Sequence, residues 1–251
     1  MAKHKFLLRT RFGKDIVSEF LPPVRPSKKA IILCGGLPGS PSKSAVMNFL
    51  SEKGYWVFFP RYRGTWESGG EFLKLSPHKD VSDVVKGISK EFTEFWSGKK
   101  YSVKNPAIYV IGSSFGGAAA ILASQDTHIK KVVALSPVID WRVKSDTEPL
   151  PWLEKFLNNA YGEGYRFSKK DWRKLGNGSF FNPIAKAKTL NSRKIFIIHA
   201  KDDEVTYAHL SKEFSKINGC ALWLKGKGGH LSLSEVRTRL FWKKIKAFLD
   251  K

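Results

Sequence analysis

Six short, predominantly apolar runs punctuate this chain: Ala30–Cys34, Trp56–Pro60, Ala107–Ile111, Lys131–Leu135, Ile195–His199 and Ala221–Leu224. A strand that is apolar at nearly every position must be covered on both faces. Between the runs lie segments of helical periodicity, at Pro41–Glu52, Val81–Trp96, Phe115–Ser124, Thr206–Lys216 and Glu235–Leu249. Ser40 is placed to cap the first of these, with Pro41 at its first helical position. Buried strands alternating with helices predict an α/β fold: a mostly parallel sheet of about eight strands with helices on both sides. The opening segment differs. Phe6–Phe12 and Asp15–Leu21 alternate around Gly13-Lys14, the pattern of a hairpin that adds an antiparallel edge.

A length of 251 residues and 42% hydrophobic content suit one large domain over residues 1–251. The alternation breaks once. Roughly sixty residues separate Leu135 from Ile195, longer than an ordinary connection. Two helical patterns fall there, one with Trp152, Leu153, Phe156, Leu157 and Tyr161, the other starting at Ser168 with Trp172 and Leu175. We expect a small helical lid insertion at about residues 138–190, with Trp152, Phe156, Leu157, Tyr161 and Phe180-Phe181 offering an apolar wall.

Lys and Arg number 44 against 22 Asp and Glu, a net charge of +22. Such a balance suits nucleic acid, an anionic membrane or an acidic substrate. The cations are scattered as pairs such as Lys28-Lys29, Lys130-Lys131 and Lys243-Lys244, with no dense block and no nucleic-acid motif. The expectation is therefore a solvated basic surface and no nucleic-acid partner. Cys34 and Cys220, the only cysteines, read as two buried thiols in a reducing compartment. The basic N-terminus lacks the apolar stretch and cleavage site of a secretory signal. No run approaches the roughly 18 apolar residues of a membrane span. The expected setting is cytoplasmic.

The segment from Ala107 to Ile121 carries chemistry. Its apolar run leads into Gly112-Ser113-Ser114-Phe115-Gly116-Gly117 and then a helix. A serine on a tight strand-to-helix turn needs small neighbours, which Gly112 and Gly116 supply. With these residues the chain resembles the α/β-hydrolase superfamily of serine hydrolases, in its esterase and prolyl oligopeptidase-like group, from about Ala30 to the C-terminus. The resemblance implies Ser114 as nucleophile. Cys34-Gly35-Gly36-Leu37-Pro38-Gly39-Ser40 is similar to the family's oxyanion loop, where His-Gly is usual. It implies the Leu37 amide as one oxyanion donor, with Gly36 as the alternative register, and the Phe115 amide as the other. The loop Arg61–Gly70 is similar to a structural loop of the family.

Ile195–Val205, IFIIHAKDDEV, resembles the family's His-Gly-x-x-Asp-x-x-Val, with Ala200 in place of Gly and the valine one residue early. That places the acid at Asp203; Asp202 and Asp140 are the alternatives. Of the six histidines, His230 follows a strand and the flexible loop Gly226–Gly229, at the family's base position. His199 matches the histidine before the acid loop, which is not the base. His4 lies near the terminus, and His78, His128 and His209 read as surface residues. The order Ser114, Asp203, His230 is that of the superfamily.

The resemblance implies hydrolysis of a small-molecule carboxylic ester through an acyl-enzyme, without metal or organic cofactor. A small peptidase or a thioesterase of the same fold is the alternative. A non-catalytic polyanion-binding scaffold is the alternative from another class.

Overall fold

The computed structural model describes residues 6–251. The opening hairpin pairs β1 (Leu8–Phe12) with β2 (Ile16–Leu21) around Gly13-Lys14. The chain continues through β3 (Lys29–Cys34), α1 (Ser44–Glu52), β4 (Trp56–Pro60) and α2 (His78–Ile88). A two-stranded ribbon follows, β5 (Phe92–Thr93) with β6 (Lys100–Tyr101). Then come β7 (Ala107–Ser113), α3 (Phe115–Ala123) and β8 (Ile129–Leu135). The long connection holds α4 (Leu150–Tyr161) and α5 (Lys169–Arg173). The chain closes with β9 (Ile195–Ala200), α6 (Ala208–Asn218), β10 (Ala221–Lys225) and α7 (Arg239–Leu249).

Eight strands form one sheet in the order β1-β2-β4-β3-β7-β8-β9-β10. β1 with β2 and β2 with β4 are antiparallel, and every other pairing is parallel. This is the α/β-hydrolase architecture expected from the sequence. Side-chain alternation explains the apolar runs. In β3, Ala30, Ile32 and Cys34 enter one core with α2 and α3. Ile31 and Leu33 enter a second core, on the opposite face, with α1 and α7. β7 divides likewise, Ile108 and Val110 one way, Tyr109 and Ile111 the other. No helix among the described residues is long and apolar enough to cross a membrane.

Three helices depart from the sequence reading. α1 begins at Ser44, with Lys43 at the N-cap position making no side-chain cap, so Ser40 and Pro41 lie in the preceding loop. The periodicity of Val81–Trp96 overruns the real helix, which ends at Ile88. Beyond it, the buried Glu94 carboxylate accepts from the amides of Trp96 and Ser97 and from the Ser97 hydroxyl. That closes a turn between β5 and β6 instead of a helix. The last helix is broken too. Leu233–Arg237 is a 3₁₀ turn, and Thr238 is extended before α7 starts at Arg239.

Cys34 and Cys220 are both free and buried. β7, β8 and β9 lie between β3, which carries Cys34, and β10, which Cys220 precedes. At about 4.8 Å per strand the gap far exceeds the ~7 Å that a disulfide spans. Burial pushes the Cys34 thiol up to about 12 and the Cys220 thiol up to about 11.

α3 lies against the sheet at backbone contact. A Cβ on Gly116 would sit 2.1 Å from the Cys34 carbonyl oxygen, and one on Gly112 would sit 2.0 Å from the Gly116 oxygen. Neither acceptor is a movable side-chain end, so the strand or helix would have to shift. Gly116→Ala is expected to cost at least about 2 kcal/mol and lower Tm by about 5 °C or more. Gly226→Ala, with nothing within 4 Å of the added carbon, should leave Tm within about 1 °C. Thermal melts followed by circular dichroism check the pair.

Candidate active site

The three candidate residues arise from three separate loops at the same edge of the sheet. Ser114 follows β7 and precedes α3, with φ 55° and ψ −122°. For a residue with a Cβ this conformation costs of order 1–3 kcal/mol. It is held by hydrogen bonds from the Ser114 amide to the Leu135 carbonyl at 2.9 Å and from the Gly117 amide to the Ser114 carbonyl at 2.9 Å. The preceding Ser113 is buried within β7, while Ser114 is half-buried at a cavity wall.

Asp203 follows β9, and its side chain is fully buried. Its Oδ1 accepts from the amides of Val205 and Thr206, each at 3.0 Å. Its Oδ2 accepts from the Thr206 hydroxyl at 3.1 Å. His230 reaches the same carboxylate through Nδ1, at 3.0 and 3.1 Å. Burial works against the charged form. The donors from His199, His230, Ser136 and Thr206 outweigh it and hold the carboxyl well below the usual range. Its charge therefore favours the folded state above the ordinary carboxylate pKa. That contribution is lost only as pH falls toward the depressed value.

His230 lies in the loop after β10, and its position is fixed from both sides. The Leu231 amide donates to Ser136 Oγ at 3.0 Å. Asp202 accepts from the amides of Gly228 and Gly229 at 2.9 Å. Asp202 is thus an exposed clamp on the loop that carries His230, and it makes no contact with either ring. With Nδ1 taken by Asp203, His230 Nε2 has no hydrogen-bond partner among the described residues. Nor does a hydrogen bond join it to Ser114 Oγ; such contacts commonly tighten only when substrate binds.

The alternatives are engaged elsewhere. Asp140 forms an ion pair with Arg142 at 2.7 Å and accepts from Asn182 Nδ2 at 3.0 Å. His78 is half-buried rather than on the surface, 2.8 Å from Ser76 Oγ, and burial lowers it to about 4. His128 sits exposed against Asp126, and His209 stacks on Tyr207. His4 lies outside the described residues. His199 does not reach Ser114; it stands behind Asp203, with Nε2 3.1 Å from Oδ2.

Leu37 and Ser114 line one cavity, of about 540 Å³. The Leu37 amide donates to no protein acceptor among the described residues, and Phe115 begins α3, where an amide has no intrahelical partner. Gly36 packs instead behind the serine: a Cβ there would lie 3.5 Å from Ser114 Cβ. The loop between is held by Tyr62, whose hydroxyl meets the Gly35 carbonyl at 3.3 Å, and by Tyr165, which accepts from the Gly39 amide at 2.8 Å. Tyr165 comes from the long connection and has no motif around it that sequence reading could use. Among the described residues no group of three or more His, Cys, Asp or Glu side chains is placed to hold a metal ion.

The cavity wall differs from expectation. It is built by Val138, Ile139, Trp141, Leu150, Leu153 and Leu210. Of the expected aromatics, Phe181 packs on Phe115 at 4.7 Å, Trp152 stacks on Phe156 at 5.0 Å, and Tyr161 meets Trp66 and Tyr165. Leu157 is fully buried. These side chains fasten the inserted segment to itself and to the body. Four charged residues also line it, Asp140, Arg142, Lys144 and Glu148; Glu148 is half-buried, and burial raises its carboxyl, with Asp203 adding to the rise and His230 opposing it.

Residues 41–239 match the prolyl oligopeptidase family. The chain belongs to that family. With it the chain joins the α/β-hydrolase serine hydrolases, as the sequence resemblance implied. A 107-residue stretch is 31% identical to an uncharacterised 31.7 kDa Escherichia coli protein from the traX-finO intergenic region, covering 41% of this chain and 35% of that protein. The match thus spans about a third of that relative. Among solved structures, an esterase of Pyrococcus furiosus superposes with a TM-score of 0.68 at 20% identity, over 98% of this chain and 90% of that one. Est1E from Butyrivibrio proteoclasticus, solved with ferulic acid, gives 0.66 at 20% identity over 94% and 96%. Pyrococcus horikoshii acylaminoacyl peptidase gives 0.67 at 18% identity, over 99% of this chain and 43% of that chain. This family member therefore shares its fold with both esterases and peptidases.

The two neighbouring carboxylates give a direct test of the acid. Asp203→Asn is expected to reduce turnover about 10²-fold or more, because an amide donor facing Nδ1 favours the wrong imidazole tautomer. Asp202→Asn keeps an oxygen to accept from the Gly228 and Gly229 amides, and should cost less than about tenfold. Both changes remove one charge from one loop, so equal losses would mean a general electrostatic effect and no directed bond. Steady-state kinetics on a chromogenic ester decide it.

Proposed function

We propose that this chain hydrolyses carboxylic esters of modest size through an acyl-enzyme on Ser114, with His230 as general base and Asp203 as its partner. The observation that carries the reading is the junction of the two parts. A buried carboxylate fixes His230 through Nδ1 at 3.0 Å, and the serine on the strained turn opens into an apolar cavity of about 540 Å³. That volume lies within the range of pockets that enclose small organic ligands.

In this mechanism His230 Nε2 takes the Ser114 hydroxyl proton as Oγ attacks the ester carbonyl. The amides of Leu37 and Phe115 donate to the oxyanion. His230 returns the proton to the departing alkoxide, which leaves as the alcohol. A water then gives its proton to His230 and its oxygen to the acyl carbon. Collapse releases the carboxylic acid and restores Ser114. The long connection, residues 138–190, acts as a lid whose apolar residues receive the acyl group.

Membership in the prolyl oligopeptidase family favours a second reading, cleavage of short peptides or aminoacyl amides at the same serine. A non-catalytic scaffold is disfavoured, because serine, acid and base are all present and acid and base are joined. Two unpaired buried thiols support a cytoplasmic setting.

The test is a panel of p-nitrophenyl esters of rising acyl length beside aminoacyl anilides and acyl thioesters. Esters should turn over fastest. Ser114→Ala should abolish both hydrolysis and fluorophosphonate labelling without lowering Tm. Wild-type turnover in that variant would refute the assignment, and faster anilide cleavage would move it to the peptidase reading. Val138→Trp narrows the proposed acyl cavity. It is expected to lower kcat/KM for the octanoate relative to the acetate by about tenfold, measured with the same esters.

A further inference from the structure

Asp203 is approached by two imidazoles, and the mechanism above uses one. His199 is the penultimate residue of β9 and is completely buried. Its Nε2 faces two close groups that only accept, the Thr206 carbonyl at 2.7 Å and Asp203 Oδ2 at 3.1 Å, with the Thr206 hydroxyl farther off at 3.5 Å. Nε2 therefore carries a proton. Nδ1, on the far side of the ring, meets the buried Ser211 hydroxyl at 2.8 Å. His230 Nδ1 arrives at the same Oδ2 at 3.0 Å, so the two rings converge on one carboxylate oxygen.

We propose that His199 is a positioning residue that donates from Nε2 to Asp203, fixing the rotation of its carboxylate and through it the direction of His230 Nδ1–H. The inference rests on the assignment of Asp203 as the acid. Three features support it. The Val205 and Thr206 amides hold only Oδ1. Those two bonds leave the carboxylate free to tilt about that oxygen. The donors within 3.1 Å of Oδ2 are the Thr206 hydroxyl and the two rings. The Thr206 hydroxyl can turn away to the Ser136 carbonyl at 3.1 Å, whereas the His199 N–H, though shared with the Thr206 carbonyl at 2.7 Å, cannot leave the plane of its buried ring. His199, by contrast, is held on each side by groups in secondary structure or adjoining it. It is the stiffest of these donors on Oδ2, one of the two oxygens that His230 meets.

His199 does not line the cavity. Its loss is therefore expected in kcat and not in KM. His199→Phe keeps a planar ring and removes the donor; kcat should fall about 10- to 100-fold while KM changes less than about twofold. His199→Gln restores an N–H donor and should recover kcat to within about fivefold of wild type. A residue that served packing alone would give the opposite ranking, because Phe fills the site better than Gln. Active-site titration with a fluorophosphonate puts each kcat on the basis of functional sites, so a partly unfolded preparation does not mimic the effect. If His199→Phe fails to fold, NMR of histidine-labelled wild-type protein decides. A slowly exchanging Nε2–H, assigned by its absence in His199→Gln, should be present and should shift in Asp203→Asn. Its absence, or a resonance that ignores Asp203, would overturn the proposal, as would wild-type kcat per site in His199→Phe. Failure of the underlying assignment reads differently: Asp203→Asn would then retain full activity.

Discussion

Everything at the candidate site depends on how closely α3 approaches the sheet. Gly112 and Gly116 meet backbone to backbone, and Gly116 touches the Cys34 carbonyl at the end of β3. Only residues without a Cβ permit that approach. Because helix and strand are in contact there, the chain between them has no slack, and Ser114 is forced to φ 55°. The same contact sets the neighbouring loop. Cys34 ends β3, and the two residues after it carry the chain past Ser114 to Leu37. Removing the contact would release the serine from its turn and the Leu37 amide from its place together.

The loop after β3 is then fastened from a distance. The segment Arg61–Gly70, read from sequence as structural, is where the long connection docks. The Arg166 amide donates to the Gly64 carbonyl, the Phe72 amide to the Arg166 carbonyl, and the Trp66 amide to the Gly164 carbonyl. This seam places Tyr165, which binds the Gly39 amide. The inserted segment thus acts on both sides of the site. It supplies the cavity wall through Leu150 and Leu153, and it steadies the loop that carries the proposed oxyanion donor. A connection of this length needs such anchoring, because its ordering entropy must be offset by contacts with the body.

What the sequence made legible follows from the range of the interactions involved. Ser114, Asp203 and His230 each lie in a motif of a few residues whose geometry is local: a turn, a loop closed by its own amides, a glycine-rich loop. The cavity wall was not legible. Its residues come from the turns after β8, from α4 and from α6, and only the fold brings them together. The aromatic residues of the long connection pack instead on one another, on Trp66 and on Phe115, since large rings bury most area where they can be enclosed. The helix limits failed for a related reason. Hydrophobic periodicity records which residues are buried. It does not record that a carboxylate such as Glu94 will close a turn at the far end of the same apolar face.

The position of Asp202 shows why adjacency in sequence is a poor guide to role. Asp202 and Asp203 stand side by side in the turn after β9, Asp203 buried and Asp202 exposed. One turns inward, loses all contact with water and gathers protein donors on both oxygens. The other turns outward and binds the Gly228 and Gly229 amides. Yet both converge on His230, the first through its ring and the second through the loop beneath it. A flexible glycine-rich loop needs such a clamp if its histidine is to meet a fixed carboxylate. In the proposed mechanism the loop must also yield enough for Nε2 to close on Ser114 when substrate arrives. An exposed, solvent-screened clamp meets both needs, because it restrains the loop by only a modest free energy, whereas a buried one would lock it.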